Sequence, residues 1–178
     1  MESKFGKSLL NKGTENSGLA LLLTDRRFQG VDLLTKRRLL ELIDIPGAYG
    51  TQTFDAVLTD VPVEPLHLAN IDEHFPALRL VEMKTTRKPI RNAALNGFFF
   101  GATEREYAMA AALGERYLFA FVVLNSQNDY KRPFAVLLSL AEVEARTRSK
   151  RVQFQVNFRS DLAPSDVPET LIVFQPQA

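Results

Sequence analysis

The spacing of apolar and polar residues divides the chain into short elements. Residues 78–86 show clear alternation, with Leu78, Leu80, Glu82 and Lys84 on one parity and Arg79, Val81, Met83 and Thr85 on the other, which predicts a strand. Residues 54–61 read as an earlier strand. Residues 117–124 form an unbroken apolar run, which predicts a central strand covered on both faces. Residues 134–140 and the alternating stretch 151–158 read as two further strands, and a last short strand is possible at 171–174. Leucines following Thr14 and Glu15 predict a helix from Gly13 to about Leu23. A second helix is expected over 34–43, starting at Thr35 and stopping before Pro46.

Punctuation residues set the connections. The Gly- and Thr-rich stretch 45–53 reads as a loop, and 61–77, with its prolines, reads as one long connection. Residues 87–97 form another loop, and Phe98–Phe100 are a short apolar run. Thr103-x-x-Glu106 fits a capping box, in which each residue satisfies an amide at the helix start. Good helix formers follow, and Gly114 stands where a helix ends. The order helix, helix, strand, strand, helix, strand, strand, strand predicts an α/β fold with a mixed sheet.

With 178 residues, one domain spanning 1–178 is expected, its last roughly 18 residues forming an extended tail. There is no cysteine, which excludes disulfides, thiol nucleophiles and cysteine metal sites. His67 and His74 are the only histidines and are expected as ordinary loop residues. A bound metal would therefore be held by oxygens, as magnesium or manganese is. No run of 18 apolar residues and no signal-like start is present, so a cytoplasmic protein without a membrane partner is expected.

Net charge is +1, yet 15 of the 22 basic residues fall in three windows, 26–38, 79–91 and 146–159. If folding gathers them they form a basic face; otherwise they are solvated separately.

Glu82 and Lys84, two apart on a strand, project to the same side. If the strand of Asp55 pairs with theirs, three charged groups converge. Asp55 and Glu82 would offer carboxylate oxygens to a divalent cation, with the Met83 carbonyl in reach. Lys84 would stabilise a phosphorane-like transition state or help deprotonate a water. Asp60 competes with Asp55; the two have opposite strand parity, so only one of them can face the site, and the match of 54–58 to the family pattern described next, together with Pro62 after Asp60, favours Asp55.

Asp55 followed by Glu82-x-Lys84 resembles the signature of the PD-(D/E)XK nuclease superfamily. The resemblance covers about residues 52–125. It comprises a strand with the metal-binding Asp, a strand reading apolar-Glu-apolar-Lys-Thr, a helix with Thr and Glu near its start, and an apolar strand opening at Tyr117. Phe54 replaces the usual Pro, and the spacing 82 − 55 = 27 is long. The resemblance is strongest to small bacterial restriction endonucleases. It implies a restriction-endonuclease-like mixed β-sheet core flanked by helices. It also implies a magnesium-dependent endonuclease (manganese substituting) acting on double-stranded DNA as a homodimer, in restriction or defence. Members often carry another metal-binding Glu on the N-terminal helix, a place Glu15 fits, with Glu41 as second choice. DNA contacts are expected from Thr85, Thr86, Arg87, Lys88 and Arg91, and from Arg146, Arg148, Lys150 and Arg151. The alternatives are a non-catalytic DNA-binding or assembly module of the same fold and a repair nuclease for single-stranded or branched DNA.

Overall fold

A computed structural model describes residues 4–44, 50–125 and 132–149, with side chains from residue 12 onward. The chain divides into two compact units, residues 1–147 and 148–178. All the elements below belong to the first. The expected strands at 151–158 and 171–174 lie outside the described residues, as do Lys150 and Arg151.

The elements run α1 (Lys4–Leu22), β1 (Phe28–Gln29), α2 (Leu33–Ile43), β2 (Ala56–Leu58), α3 (Ile71–His74), β3 (Arg79–Thr86), α4 (Glu104–Leu113), β4 (Tyr117–Val123), β5 (Phe134–Leu138) and α5 (Leu140–Arg146). The five strands form one mixed sheet in the order β1-β2-β3-β4-β5. β3 and β4 are parallel, and every other neighbouring pair is antiparallel. The parallel pair needs a crossover, which α4 supplies. An α/β fold with a mixed sheet is therefore what the chain forms.

The sheet carries a core on each face. Val57, Leu80, Phe119 and Phe121 pack with Leu39 of α2, Met109 and Ala110 of α4 and Val143 of α5. On the other face Ala56, Leu58, Val81, Leu118 and Ala120 pack with Leu22 of α1 and with Phe28. β4 lies between the two cores, and all seven of its residues are buried, as its unbroken apolar run predicts.

Five expectations need correction. The strand expected over 54–61 covers only Ala56–Leu58, so Asp55 stands just before it. α1 begins at Lys4, not near Gly13, and runs through both Gly13 and Gly18. A Cβ on Gly18 would stand 2.3 Å from Oγ1 of Thr85 and 3.1 Å from Sδ of Met83, so only glycine lets α1 lie this close to β3. α2 begins at Leu33, because Asp32 caps it by accepting the Thr35 N–H. The connection 61–77 holds the short helix α3 and a single 3₁₀ turn at Phe75–Ala77. The strand expected over 134–140 stops at Leu138, and Ser139 opens α5 through a capping box with Glu142.

Candidate active site

β3 carries Glu82 and Lys84 on the face that packs against α4. Lys84 Nζ lies 2.7 Å from Glu82 Oε1 and 2.8 Å from Glu106 Oε2. Glu106 is also the capping residue of α4: its Oε2 accepts the Thr103 N–H, and its own N–H donates to Thr103 Oγ1. The crossover helix is thus capped by the same carboxylate that holds the strand lysine.

Asp55, just before β2, is built onto the backbone on either side of Glu82. Its N–H donates to the Val81 carbonyl at 2.8 Å, and its Oδ2 accepts the Met83 N–H at 2.8 Å. The two residues before it are held by side chains from other elements. The Tyr117 hydroxyl donates to the Thr53 carbonyl. Lys36 of α2 donates to the Phe54 carbonyl at 2.7 Å and lies over the Phe54 ring. Tyr117 and Lys36 are site residues that sequence reasoning did not single out. Lys36 stood only in a basic window, and no spacing along the chain ties it to Asp55.

The electrostatics follow from burial. Glu82 is 6% exposed, and its pKa is pushed up to about 8. Burial is the main cause; the charges of Asp55 and Glu106 add to it, and Lys84 opposes it. Burial pulls the Lys84 ammonium down, but Glu82 and Glu106 outweigh it, so its pKa lies above the ordinary lysine value. Burial lowers Lys36, against the pull of Asp55 and Glu82. Tyr117 is raised by burial and by the nearby carboxylates, so it stays a neutral donor.

Glu82 Oε2 is buried and finds no hydrogen-bond partner among the described residues. Such an oxygen is costly unless something positive meets it. The donor set fits a hard cation of the magnesium type, which takes one or two carboxylates and keeps several waters. No cluster of three or more Asp, Glu or His side chains set to hold a metal occurs among the described residues.

The remaining expected residues are spread more widely. Asp60 is exposed and paired with Arg79. Glu15 is exposed on α1, which covers the face opposite Glu82. Glu41 is exposed on α2 and paired with Arg38. Thr85 turns its hydroxyl toward Gly18 on that opposite face, whereas the Thr86 hydroxyl accepts the Lys88 N–H. Arg87, Lys88 and Arg91 are exposed in the loop that leaves β3. Arg146 is exposed at the end of α5 and donates to the Glu142 carbonyl. Arg148 is exposed in the second unit. His67 is exposed, and His74 ends α3 near Glu64. Several cations of the basic windows are already spent on acids, namely Arg27 on Asp25, Arg38 on Asp72 and Arg79 on Asp60. No helix among the described residues is long and apolar enough to cross a membrane.

No family model, curated protein or solved structure matches this chain.

Proposed function

We propose that this chain is a divalent-metal-dependent endonuclease that hydrolyses phosphodiester bonds in double-stranded DNA, of the restriction or defence kind, on a restriction-endonuclease-like fold. One observation carries the reading: Glu82, buried with a partnerless oxygen, shares its site with Asp55 and with a lysine that stays charged. Glu82 and Lys84 are not a surface ion pair: they are largely buried together, with Glu106 on the lysine and Asp55 beside the glutamate.

Asp55, Glu82 and the Met83 carbonyl would hold Mg²⁺, with Mn²⁺ able to replace it. The bound ion supplies polarisation of the phosphate and a water of lowered pKa. Lys84 faces the scissile phosphate as a fixed positive charge. Its raised pKa makes it a poor proton acceptor near neutrality, so its role is electrostatic stabilisation rather than general base catalysis. Glu106 holds the ammonium in place through the cap of α4. Arg87, Lys88 and Arg91 meet the DNA backbone as β3 ends, and each such contact adds salt-dependent affinity without reading sequence. One site per chain suits a homodimer, because two-fold symmetry matches the two strands.

The supporting architecture is the antiparallel β2–β3 pair followed by the parallel β3–β4 pair joined through α4. That is the order in which the resemblance places its Asp strand, its Glu-x-Lys strand, its helix and its apolar strand.

The test is incubation of the full chain with plasmid and genomic DNA, with Mg²⁺ or with EDTA. Discrete fragments in Mg²⁺ alone support a sequence-specific nuclease. Cleavage confined to single-stranded or branched DNA would move the assignment to a repair nuclease. Tight, salt-sensitive binding with no cleavage in any condition would make the chain a non-catalytic DNA-binding module.

A further inference from the structure

The loop between β3 and α4 displays one aromatic ring to solvent while its two neighbours are fastened down. Phe98 and Phe100 are partly buried, and both meet Phe121 edge-on, with ring centroids 5.2 and 5.0 Å away. Phe121 is the register partner of Lys84 on the adjacent strand, so the anchor stands beside the site lysine and on its face of the sheet. Phe99, between the two anchored rings, is 80% exposed, more than any other large hydrophobic side chain described.

The approach to this ring is also built. Leu95 and Gly97 take left-handed backbone angles, with φ of 60° and 81°, and the Phe98 N–H closes a turn onto the Leu95 carbonyl. Leu95 is itself buried in the core. The exposed ring therefore stands on a fixed mount, and little ordering is needed for it to make contact. The loop over 87–102 carries Arg87, Lys88 and Arg91 and no acidic residue, a surface suited to a polyanion.

We propose that Phe99 is a stacking platform for an unstacked nucleobase of the DNA strand held at the Glu82–Lys84 site. The inference rests on the nuclease reading above and adds a substrate contact that the charged residues do not provide. Cations and an exposed aromatic ring on one loop are the combination that binds unpaired strands: the charges track the backbone and the ring takes a base face. A phenylalanine in water otherwise forgoes the stabilisation of burial. The stacked base lies in a single strand or at a locally opened step of a duplex.

The chain contains no tryptophan, so Phe99→Trp creates a single fluorescent reporter at this position. The experiment uses the full chain with Glu82→Gln to prevent turnover. Labelled oligonucleotides, single-stranded and duplex with a mismatched pair, report binding by anisotropy while tryptophan emission is read in parallel. The expected result is solvent-exposed emission in the free protein, quenching that saturates with binding, and about 5- to 100-fold weaker binding for Phe99→Ala. Binding without quenching would overturn the proposal and leave the nuclease reading standing. Blue-shifted emission before DNA is added would also overturn it: if dependent on protein concentration, a second copy covers the ring; if not, the chain's own residues do. Absence of any binding by anisotropy, with circular dichroism showing folded protein, would overturn both this proposal and the nucleic-acid reading beneath it.

Discussion

Lys84 and Thr103 share one carboxylate oxygen. Oε2 of Glu106 lies 2.8 Å from the Lys84 ammonium and 3.0 Å from the Thr103 N–H, so the start of α4 and the charge state of β3's lysine are one structural event. Glu106→Gln retains an acceptor for the cap but removes the negative charge. The expected outcome is a melting temperature within a few degrees of the parent, a lower Lys84 pKa, and cleavage reduced about 10-fold with an altered pH profile. Glu106→Ala loses the cap as well, about 1 kcal/mol, and leaves a buried ion pair without one of its members. Thermal melting and pH–rate profiles of the two variants separate the roles.

The raised Glu82 carboxyl has a consequence for stability. Its folded pKa of about 8 lies above the ordinary value of 4.5, so the folded state binds the proton more tightly than the unfolded state does. The stabilising contribution of this group is complete below about 4.5 and is lost as pH rises through about 8. Metal-free protein is therefore expected to melt at progressively lower temperature across that window. Mg²⁺, by favouring the carboxylate, should raise the melting temperature more at pH 8 than at pH 5, and Glu82→Gln should flatten both trends. Calorimetry in EDTA and in Mg²⁺ at several pH values measures this; equal Mg²⁺ stabilisation of parent and Glu82→Gln would contradict it.

Lys36 fastens the carbonyl just before Asp55. Lys36→Met keeps most of the stem packed on Phe54 and removes that donor. The expected result is a fall in kcat of about 10-fold with KM nearly unchanged, since the residue acts through Asp55 and not on the substrate. Lys36→Arg, which can still reach the carbonyl, should recover much of the loss. A change confined to KM would show that Lys36 meets the DNA instead.

Gly18 sets how closely α1 lies on β3. Gly18→Ala forces its new methyl onto Thr85 and is expected to destabilise the fold by about 1–3 kcal/mol, the usual cost of overpacking. Thr85→Ala in the same chain removes Oγ1 and Cγ2, the two closest atoms, and should restore a large part of that loss. A denaturant-based double-mutant cycle reads the coupling.

The elements that sequence reasoning located were those whose signals are local. The parity of Glu82 and Lys84, the apolar run of β4 and the Thr103–Glu106 cap each depend on residues a few positions apart, and all are in the structure. α5 was legible too: Ser139-x-x-Glu142 is the same capping signal as Thr103-x-x-Glu106, but the apolar run before it drew the strand too far. The early start of α1 was obscured because Gly13 reads as a boundary. The glycine at position 18 is explained only by the sheet below, on which it lets α1 lie close. Lys36 and Tyr117 were beyond reach for a different reason. Their partners are the carbonyls of Phe54 and Thr53, and a backbone carbonyl leaves no mark in a sequence. Glu106 was read as a cap, and its second bond, to Lys84, follows from the parallel crossover that brings α4 over β3.

The most direct test of the central claim compares four single substitutions in Mg²⁺-dependent cleavage of supercoiled plasmid by otherwise identical full chains. Asp55→Asn and Glu82→Gln should each reduce the rate by at least about 100-fold, with circular dichroism showing intact folding. Asp60→Asn and Glu15→Gln, acids placed elsewhere, should cleave within a few-fold of the parent. Parental cleavage by the first pair, or its loss in the second pair alone, would contradict the assignment of the Asp55–Glu82–Lys84 site as the catalytic centre.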